Sequence, residues 1–584
     1  MLCVARLVIR PIIRQSHHDF SEFKNYRHLH RMTSSLFQHK QQPISSQLLI
    51  SLPPHVDASD KDNKLILQQL TAWSAASIGQ SDNAIATMFE ELLESIDQKR
   101  PANGYLNGVF YIIVLSHVQN LDSSYIRDIM CNYLNRQPYS ALGSIYHYAV
   151  REDIEWLKRA TQEKMLQSLA KMTQGSDLVT AYFYLTKGLL QKEARVQLES
   201  KTKELSSVLS PTNIIRILHN LALSKTRSTD VMKRLVYSLQ QQQSFVPTEK
   251  QLSNVFFSAS VLSATSPRML ACLDTLTNNL VAAETPVSLK NAVNMVISMG
   301  KLRYHNRSLL ATLCSFIEHP KNLSVQQFAS VLSTCHITGV LPDNLSKVIT
   351  KQLKAASSDM KNVQYYLDIA WSLLVFGIKS EAICKDLLSE ERITLLTQGV
   401  PHHTATSNYS KLLNICTVGR VEYQMEMPSS LLACSKHEPQ KPFSAFHNTL
   451  GLALVDCLGC DAAFVNRDVW FPTGNLIDFR YLYDTEKQVV VSPSNVRAPG
   501  DVSSDKEEAA SHLKWVAVFG HEYHHYTIGL NDETPLEAKR RLAETQLQQL
   551  GYHVVAVKES EFKVEADKKK LLKAKLLFPE RAED

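Results

Sequence analysis

The string His521-Glu522-Tyr523-His524-His525 is a literal H-E-x-x-H. On a helix that spacing brings two histidines onto one face, where they hold zinc while the glutamate acts as general base. Glu544, with 18 residues between it and His525, would be the third ligand of a zinc peptidase. The setting opposes that use, because the motif follows the apolar run Trp515–Phe519 and Gly520 and leads into Tyr526-Thr527-Ile528-Gly529. A strand and a turn are predicted there, not a helix. A second signal is Cys457-Leu458-Gly459-Cys460. A structural zinc site needs another such pair, and a redox site needs a βαβ setting, so these thiols read as buried or incidental. A third is the run Lys563, Lys568, Lys569, Lys570, Lys573 and Lys575 on a helix predicted near 559–577. Such a run suits a phosphate backbone, and it equally suits a solvated face.

The elements that would position these residues are short strands over Asn475–Tyr483, Gln488–Val491, Trp515–Phe519 and Tyr552–Val557. Between the last two a helix is predicted, with Thr534 as cap, Pro535 in the first position and Glu537 closing a capping box. Upstream the pattern differs. Asn103, Ser140, Ser176, Thr212, Thr248, Ser288, Ser324 and Asn362 each precede an apolar-periodic segment, at separations of 37, 36, 36, 36, 40, 36 and 38 residues. All are favoured helix N-cap types. After Ser288 the stripe is Leu289, Ala292, Val293, Val296 and Ile297, and the copies after Ser324 and Asn362 keep the same frame. The Ser176 and Thr212 copies fit better shifted by one residue, and Thr248 fits in part. A unit of this length holds two helices, and stacked hairpins give a superhelix with a long concave surface. On that surface Lys290, Asn291, Gln326, Gln327 and Gln364 lie two or three positions past a cap, where repeat proteins that read RNA place amide and basic groups.

Composition agrees. The 584 residues are 44% hydrophobic and 21% charged, which excludes a disordered or collagen-like chain. Only 18 are glycine, about 3% against a usual level of roughly 7%, so helices are favoured over barrels and phosphate-loop folds. No long uncharged apolar run suggests a membrane span. Ten scattered cysteines fit a reducing compartment rather than a disulfide framework. The net charge of +6 argues for nucleic acid only where it is clustered. Part of it lies at the N-terminus, where Arg6, Arg10 and Arg14 alternate with apolar residues and no acid precedes Asp19. That is the pattern of a mitochondrial presequence.

The string Trp515–Tyr526 with Gly529, then Leu536–Leu542, Leu550-Gly551-Tyr552, Val554–Val557 and Glu561-Phe562, resembles a RAP domain. Lys411-Leu412-Leu413-Asn414, Val421-Glu422-Tyr423, Pro428 and Leu431-Leu432 resemble the second shared segment of the FAST kinase domain-containing family. Gly300-Lys301-Leu302-Arg303-Tyr304 and Ala370–Leu374 resemble its first. The expected organisation is a presequence (1–35), a flexible segment (36–60) and a helical repeat array (61–400) whose part from about 285 is the first segment. The second segment with a linker (401–465) and a RAP domain (470–577) follow. The fold class is mostly α, a solenoid followed by a small α/β domain.

The resemblance implies a mitochondrial matrix protein that binds organelle-encoded RNA in processing, stability or translation, with other RNA-processing proteins as possible partners. Kinase activity is not implied, because no glycine loop, V-A-I-K lysine, H-R-D or D-F-G is present. RAP domains resemble PD-(D/E)XK nucleases, so Asp478 would be the first metal carboxylate. The positions for the second carboxylate and the lysine fall on Phe519-Gly520-His521. Glu522 and His524 lie close enough to substitute, His521 is a further candidate, and a divalent metal is implied only if the domain is a nuclease. The basic residues Lys539, Arg540 and Arg541, with the lysine run, are the domain's RNA-binding candidates. The competing readings are a metal-dependent RNA endonuclease and a protein-binding scaffold.

Overall fold

The computed structural model describes residues 155–576 apart from 170, 186–191, 318–321, 435–443, 471–475, 500–508, 531–533 and 566, with isolated positions between 87 and 149. The expected presequence, the 36–60 segment and the caps Asn103 and Ser140 lie outside the described residues. The protein is mostly helical with a small mixed sheet near the C-terminal end. No helix among the described residues is long and apolar enough to cross a membrane. Two compact units divide the chain: residues 1–224 with 228–234, and residues 225–227 with 235–584.

In the first unit α1 (Glu155–Leu169), α2 (Gly175–Leu185), α3 (Lys192–Leu205) and α4 (Pro211–Leu223) are described. Helix α2 packs on α3 and α4. The buried Tyr182 and Thr202 hydroxyls bond at 2.8 Å across the first pair. Thr212 is not the cap of its helix. Ser210 is, because Pro211 takes the first helical position and Ser210 Oγ accepts from Asn213 N. Ser176 likewise sits inside α2, which starts at Gly175. The division between the units falls within α5 (Thr229–Gln240).

The second unit begins with α6 (Glu249–Val261), α7 (Pro267–Ala282), α8 (Leu289–Leu302), α9 (Arg307–Ser315), α10 (Val325–Thr338), α11 (Asp343–Ser346) and α12 (Ile349–Ser357). Then come α13 (Val363–Val375), α14 (Glu381–Leu387), α15 (Glu390–Thr397), α16 (His402–Tyr423) and α17 (Ser429–Cys434). Helices α6, α8, α10, α13 and α16 form a row in which each packs on the next. This is why α8 buries Met295, Ser298 and Met299 beyond the single stripe expected of it: it has a helix on either side. Thr248 and Ser324 close full capping boxes with Gln251 and Gln327. Ser288 stands at its helix start without a side-chain cap bond, and Asn362 does not cap either; Asp359 caps the single 3-10 turn before it. Gly300 permits close approach of α8 and α10, since a Cβ there would stand 2.9 Å from Thr334 Cβ and 3.1 Å from its Cα.

The sheet follows α18 (Ala445–Leu458) and comprises β1 (Asn466–Trp470), β2 (Leu476–Asp484), β3 (Val489–Val491), β4 (Leu513–His521) and β5 (His553–Lys558). The order is β1-β2-β4-β5 with β3 alongside β2, antiparallel except for the parallel pair β4/β5. Helix α19 (Ala538–Gln549) connects that parallel pair, and α20 (Glu559–Val564) and α21 (Lys568–Leu576) end the described chain. Strand β4 is buried on both faces. Val516 and Val518 join the core under α18, α20 and α21, while Trp515, Ala517 and Phe519 join the one under α19. Strand β1 was not expected. The helix placed from Thr534 starts only at Ala538, because Pro535 O accepts from Thr527 and Leu536 bridges Tyr526, which keeps this stretch extended. The single terminal helix is two, broken where Glu565 turns extended and Asp567 accepts from Lys570 N at 3.0 Å.

Helix α19 also packs on α10, α13 and α16. At that seam Asn414 and Gln546, both almost fully buried, bond twice: Asn414 Nδ2 to Gln546 Oε1 at 3.2 Å and Gln546 Nε2 to Asn414 O at 2.8 Å. Trp371 Nε1 donates to Asn414 Oδ1 at 2.9 Å. Truncating Asn414 strands a buried donor and a buried acceptor, each costing about 1–3 kcal/mol. Asn414→Ala is therefore expected to lower unfolding free energy by about 2–4 kcal/mol in denaturant titration, with Asn414→Ala/Gln546→Leu losing less than the single variant.

Candidate functional site

Asp478 lies in β2 opposite the end of β4, 3% exposed, and accepts from Gly520 N at 2.8 Å. His447, in the first turn of α18 as capped by Ser444, brings Nε2 to 3.4 Å from Asp478 Oδ2, and Arg540 Nη1 lies 4.0 Å from the same oxygen. Ser444 Oγ pairs with His447 Nδ1 at 2.9 Å and fixes the ring. On its other side His447 Nδ1 is 3.6 Å from Glu522 Oε1. Burial would lower the His447 pKa, but the Asp478 bond and then the Asp478 and Glu522 charges outweigh it and hold it above the ordinary value. Asp478, expected from the family resemblance as a metal carboxylate, is thus surrounded by partners: a backbone N–H, an imidazole and a guanidinium.

The H-E-x-x-H residues form no helix that puts His521 and His525 on one face. His521 ends β4, 2% exposed, with Nε2 on Glu544 at 2.5 Å. Residues Tyr523–His525 make one 3-10 turn. There His524 Nδ1 is 3.2 Å from Glu522 Oε2. His525 is pinned between two donors, Glu522 N at 3.1 Å from Nδ1 and Arg540 Nη2 at 2.9 Å from Nε2. Burial and then Arg540, with the neighbouring imidazoles, push the His525 pKa down to about 2, so the ring is neutral. A neutral imidazole has one N–H and one lone pair, so only one of the two contacts is a hydrogen bond in either tautomer. The peptidase ligand set of His521, His525 and Glu544 is not assembled. One ligand atom each from Glu522, His524 and His525 does converge, all within 4.8 Å of one another.

The basic candidates divide. Arg540 serves Asp478 and His525, Arg541 reaches the α10 end, where a Cβ on Gly339 would stand 2.9 Å from its Nη2, and Lys539 is exposed. Lys563 pairs with Glu559 at 2.6 Å and Lys569 with Asp456 at 2.8 Å, while Lys568 lies over Phe562 with 5.2 Å to the ring centroid. Lys570 and Lys573 are exposed and make no ion pair among the described residues. On the row of helices Lys290 and Gln326 are exposed. Asn291 bonds Ser288 at 3.1 Å, Gln327 closes its capping box, and Gln364 exchanges bonds with Asn408 at 3.0 and 2.7 Å.

Four helices of the row, α8, α10, α13 and α16, line a groove of about 460 Å³ with Lys301, Gln326, Ser330, Tyr365, Asp368 and Lys411. Lys411 pairs with Asp368 at 2.5 Å and lies over the Trp371 ring, 5.7 Å from its centroid. Among the sequence candidates only Gln326 lines this groove. Lys301 and Trp371 stood in the segments quoted for the family resemblance, but their shared wall needs the stacking of separate helices. His447 gave no signal at all, being a lone histidine in an apolar helix. Cys457 and Cys460 are free and half-buried, and no further ligand group gathers on them among the described residues.

Compared with known proteins, the chain matches no family model and no curated protein.

His336 forms part of the groove wall, its Nδ1 3.1 Å from Ser372 Oγ and its ring edge-on to Trp371. Burial, and then the Lys411 charge, push its pKa down to about 4. A depressed histidine pKa means the unfolded chain binds the proton more tightly, so stability is full above about pH 6.5 and falls as pH drops toward 4. His336→Asn is expected to remove roughly 3 kcal/mol of that acid loss. Unfolding free energies of both proteins between pH 7 and pH 4 provide the check; equal slopes would sink the assignment.

Proposed function

We propose that this protein binds RNA through the groove on its helical row and acts after transcription on mitochondrial RNA, as the likeness to FAST kinase domain-containing proteins implies. The carrying observation is the groove itself, where Lys301, Gln326, Tyr365 and Lys411 gather cationic, amide and aromatic groups on consecutive helices. Single-stranded RNA suits this mixture, a phosphate on Lys301, whose charge is unpaired among the described residues, and a base on the Tyr365 face. The solenoid and RAP readings are part of the proposal. They are supported by the row of first helices and by a sheet connected as α18-β1-β2-β3-β4-α19-β5. Further support comes from the quoted family segments, which meet: Arg303 donates to the carbonyls of His524 and Tyr526, and Trp371 Nε1 to Asn414 Oδ1.

Cleavage at Asp478 is disfavoured. A metal nuclease must offer that carboxylate to an ion, whereas here it is buried and already engaged by Gly520 N, His447 and Arg540. RNA binding without cutting is therefore the reading we carry forward. Fluorescence anisotropy with a labelled single-stranded RNA tests it. Tyr365→Ala is expected to cost about 1–3 kcal/mol in binding. Lys301→Glu should weaken binding for all sequences and reduce the slope of log affinity against log salt by about 0.7. Wild-type protein that captures no RNA but retains protein partners would replace this reading with the scaffold. RNA cleavage abolished by Asp478→Asn would replace it with the nuclease.

A further inference from the structure

We propose that Glu522, His524 and His525 form a binding site for one divalent transition-metal ion of the zinc class. The site is distinct from the groove and does not rest on RNA binding. Imidazole nitrogen and carboxylate oxygen are the donors such an ion takes, at about 2.0–2.2 Å. Donors sharing a tetrahedral ion therefore stand roughly 3–3.6 Å apart. Glu522 Oε2 and His524 Nδ1 are already 3.2 Å apart, and the whole set fits within 4.8 Å, so small side-chain movements complete the coordination.

The turn explains why these three converge. In a helix His521 and His525 would face one ion. Here β4 runs through His521 and commits it to Glu544, and the 3-10 turn that follows brings Glu522, His524 and His525 together instead. The turn is fixed from outside. Arg303 donates to the carbonyls of His524 and Tyr526, and Tyr523 N donates to Glu559 Oε2 at 3.3 Å. His447 sits behind the carboxylate, 3.6 Å from Glu522 Oε1, as an outer partner that orients it. The His524 side chain is 52% exposed while that of Glu522 is 13% exposed, which leaves one side of the site open to water as a fourth ligand.

Arg540 is the competitor. Its guanidinium faces His525 Nε2 while Glu522 N–H faces Nδ1, so a donor opposes a donor at one nitrogen whichever tautomer is present. An ion that takes a lone pair of His525 must displace one of these contacts, and Arg540 has an alternative partner in Asp478 at 4.0 Å. The surrounding carboxylates of Asp478, Glu522 and Glu544 outnumber the guanidinium groups of Arg540 and Arg303, which favours a cation.

The test uses the purified full-length chain, stripped with chelator and titrated with Co²⁺ and Zn²⁺. One ion per chain is expected, with a cobalt spectrum typical of nitrogen and oxygen ligands. His524→Ala, whose exposed side chain keeps the fold intact, should weaken binding by about tenfold or more, and Glu522→Gln should do the same. Arg540→Gln should tighten it. Replacing Cys457 and Cys460 by serine should leave it unchanged. Absence of binding at micromolar metal would overturn the proposal. So would binding that ignores His524→Ala, that weakens in Arg540→Gln, or that disappears with the two cysteines. RNA affinity enters none of these measurements, so failure here leaves the groove reading untouched, and the reverse holds.

Discussion

The paired amides of Asn414 and Gln546 hold the sheet against the row of helices, and much of the second unit depends on them. Helix α19 buries Ala543 and Leu547 against the sheet, and turns Gln546 the other way, toward α16. Both cores must therefore form for either face of α19 to be covered. An amide pair of this kind contributes little net energy but penalises any other register heavily, because sliding the helix leaves buried donors without acceptors. With α19 fixed, its basic first turn is fixed too. Arg540 is delivered to Asp478 and Arg541 to the end of α10, so three consecutive basic residues that look alike in sequence do different work.

A second tie acts at the end of α8. Arg303 takes a left-handed conformation, φ 56°, and this turns the chain so that Tyr304 lies beside Ile528. Ile528 N donates to Arg303 O at 2.8 Å and His305 N to Ile528 O at 2.7 Å. A non-glycine residue in that region carries a conformational cost, which the side-chain bonds of Arg303 to the carbonyls of His524 and Tyr526 offset. The turn bearing His524 is thus held by a residue over two hundred positions earlier. Rigidity at that turn follows from the helical row, not from the turn's own three residues.

What was legible in the sequence follows from how local each signal is. The strands β2 to β5 were read to within two residues at each end, because an unbroken apolar run such as Trp515–Phe519 reflects two covered faces directly. Caps were legible where the amide three residues on closes the box, as with Thr248 and Ser324. They misled where a neighbouring residue competed, as Pro211 did with Thr212 and Asp359 with Asn362. Strand β1, Asn466-Arg467-Asp468-Val469-Trp470, lacks an apolar alternation and gave no signal. The carboxylate centre was half legible. Asp478 was singled out through the resemblance to a nuclease fold, whereas His447 reaches it only because α18 covers the sheet.

Pairing, more than residue type, decides what each charged group can do. The lysine run looked like the strongest field in the chain, yet Lys563 and Lys569 spend their charge on Glu559 and Asp456, and Lys575 on Glu561 at 2.9 Å. Their contribution at a distance is close to that of a neutral pair, and it is screened further by salt. The same logic separates the two acidic centres. Asp478 is surrounded by a backbone N–H, His447 and Arg540, which together supply the positive charge a metal would bring, and so it has no need of one. Among the described residues Glu522 has only imidazoles within ion-pair distance, 3.2 and 3.6 Å away. The carboxylate whose partners are weak bases, not fixed cations, is the one still able to accept an ion.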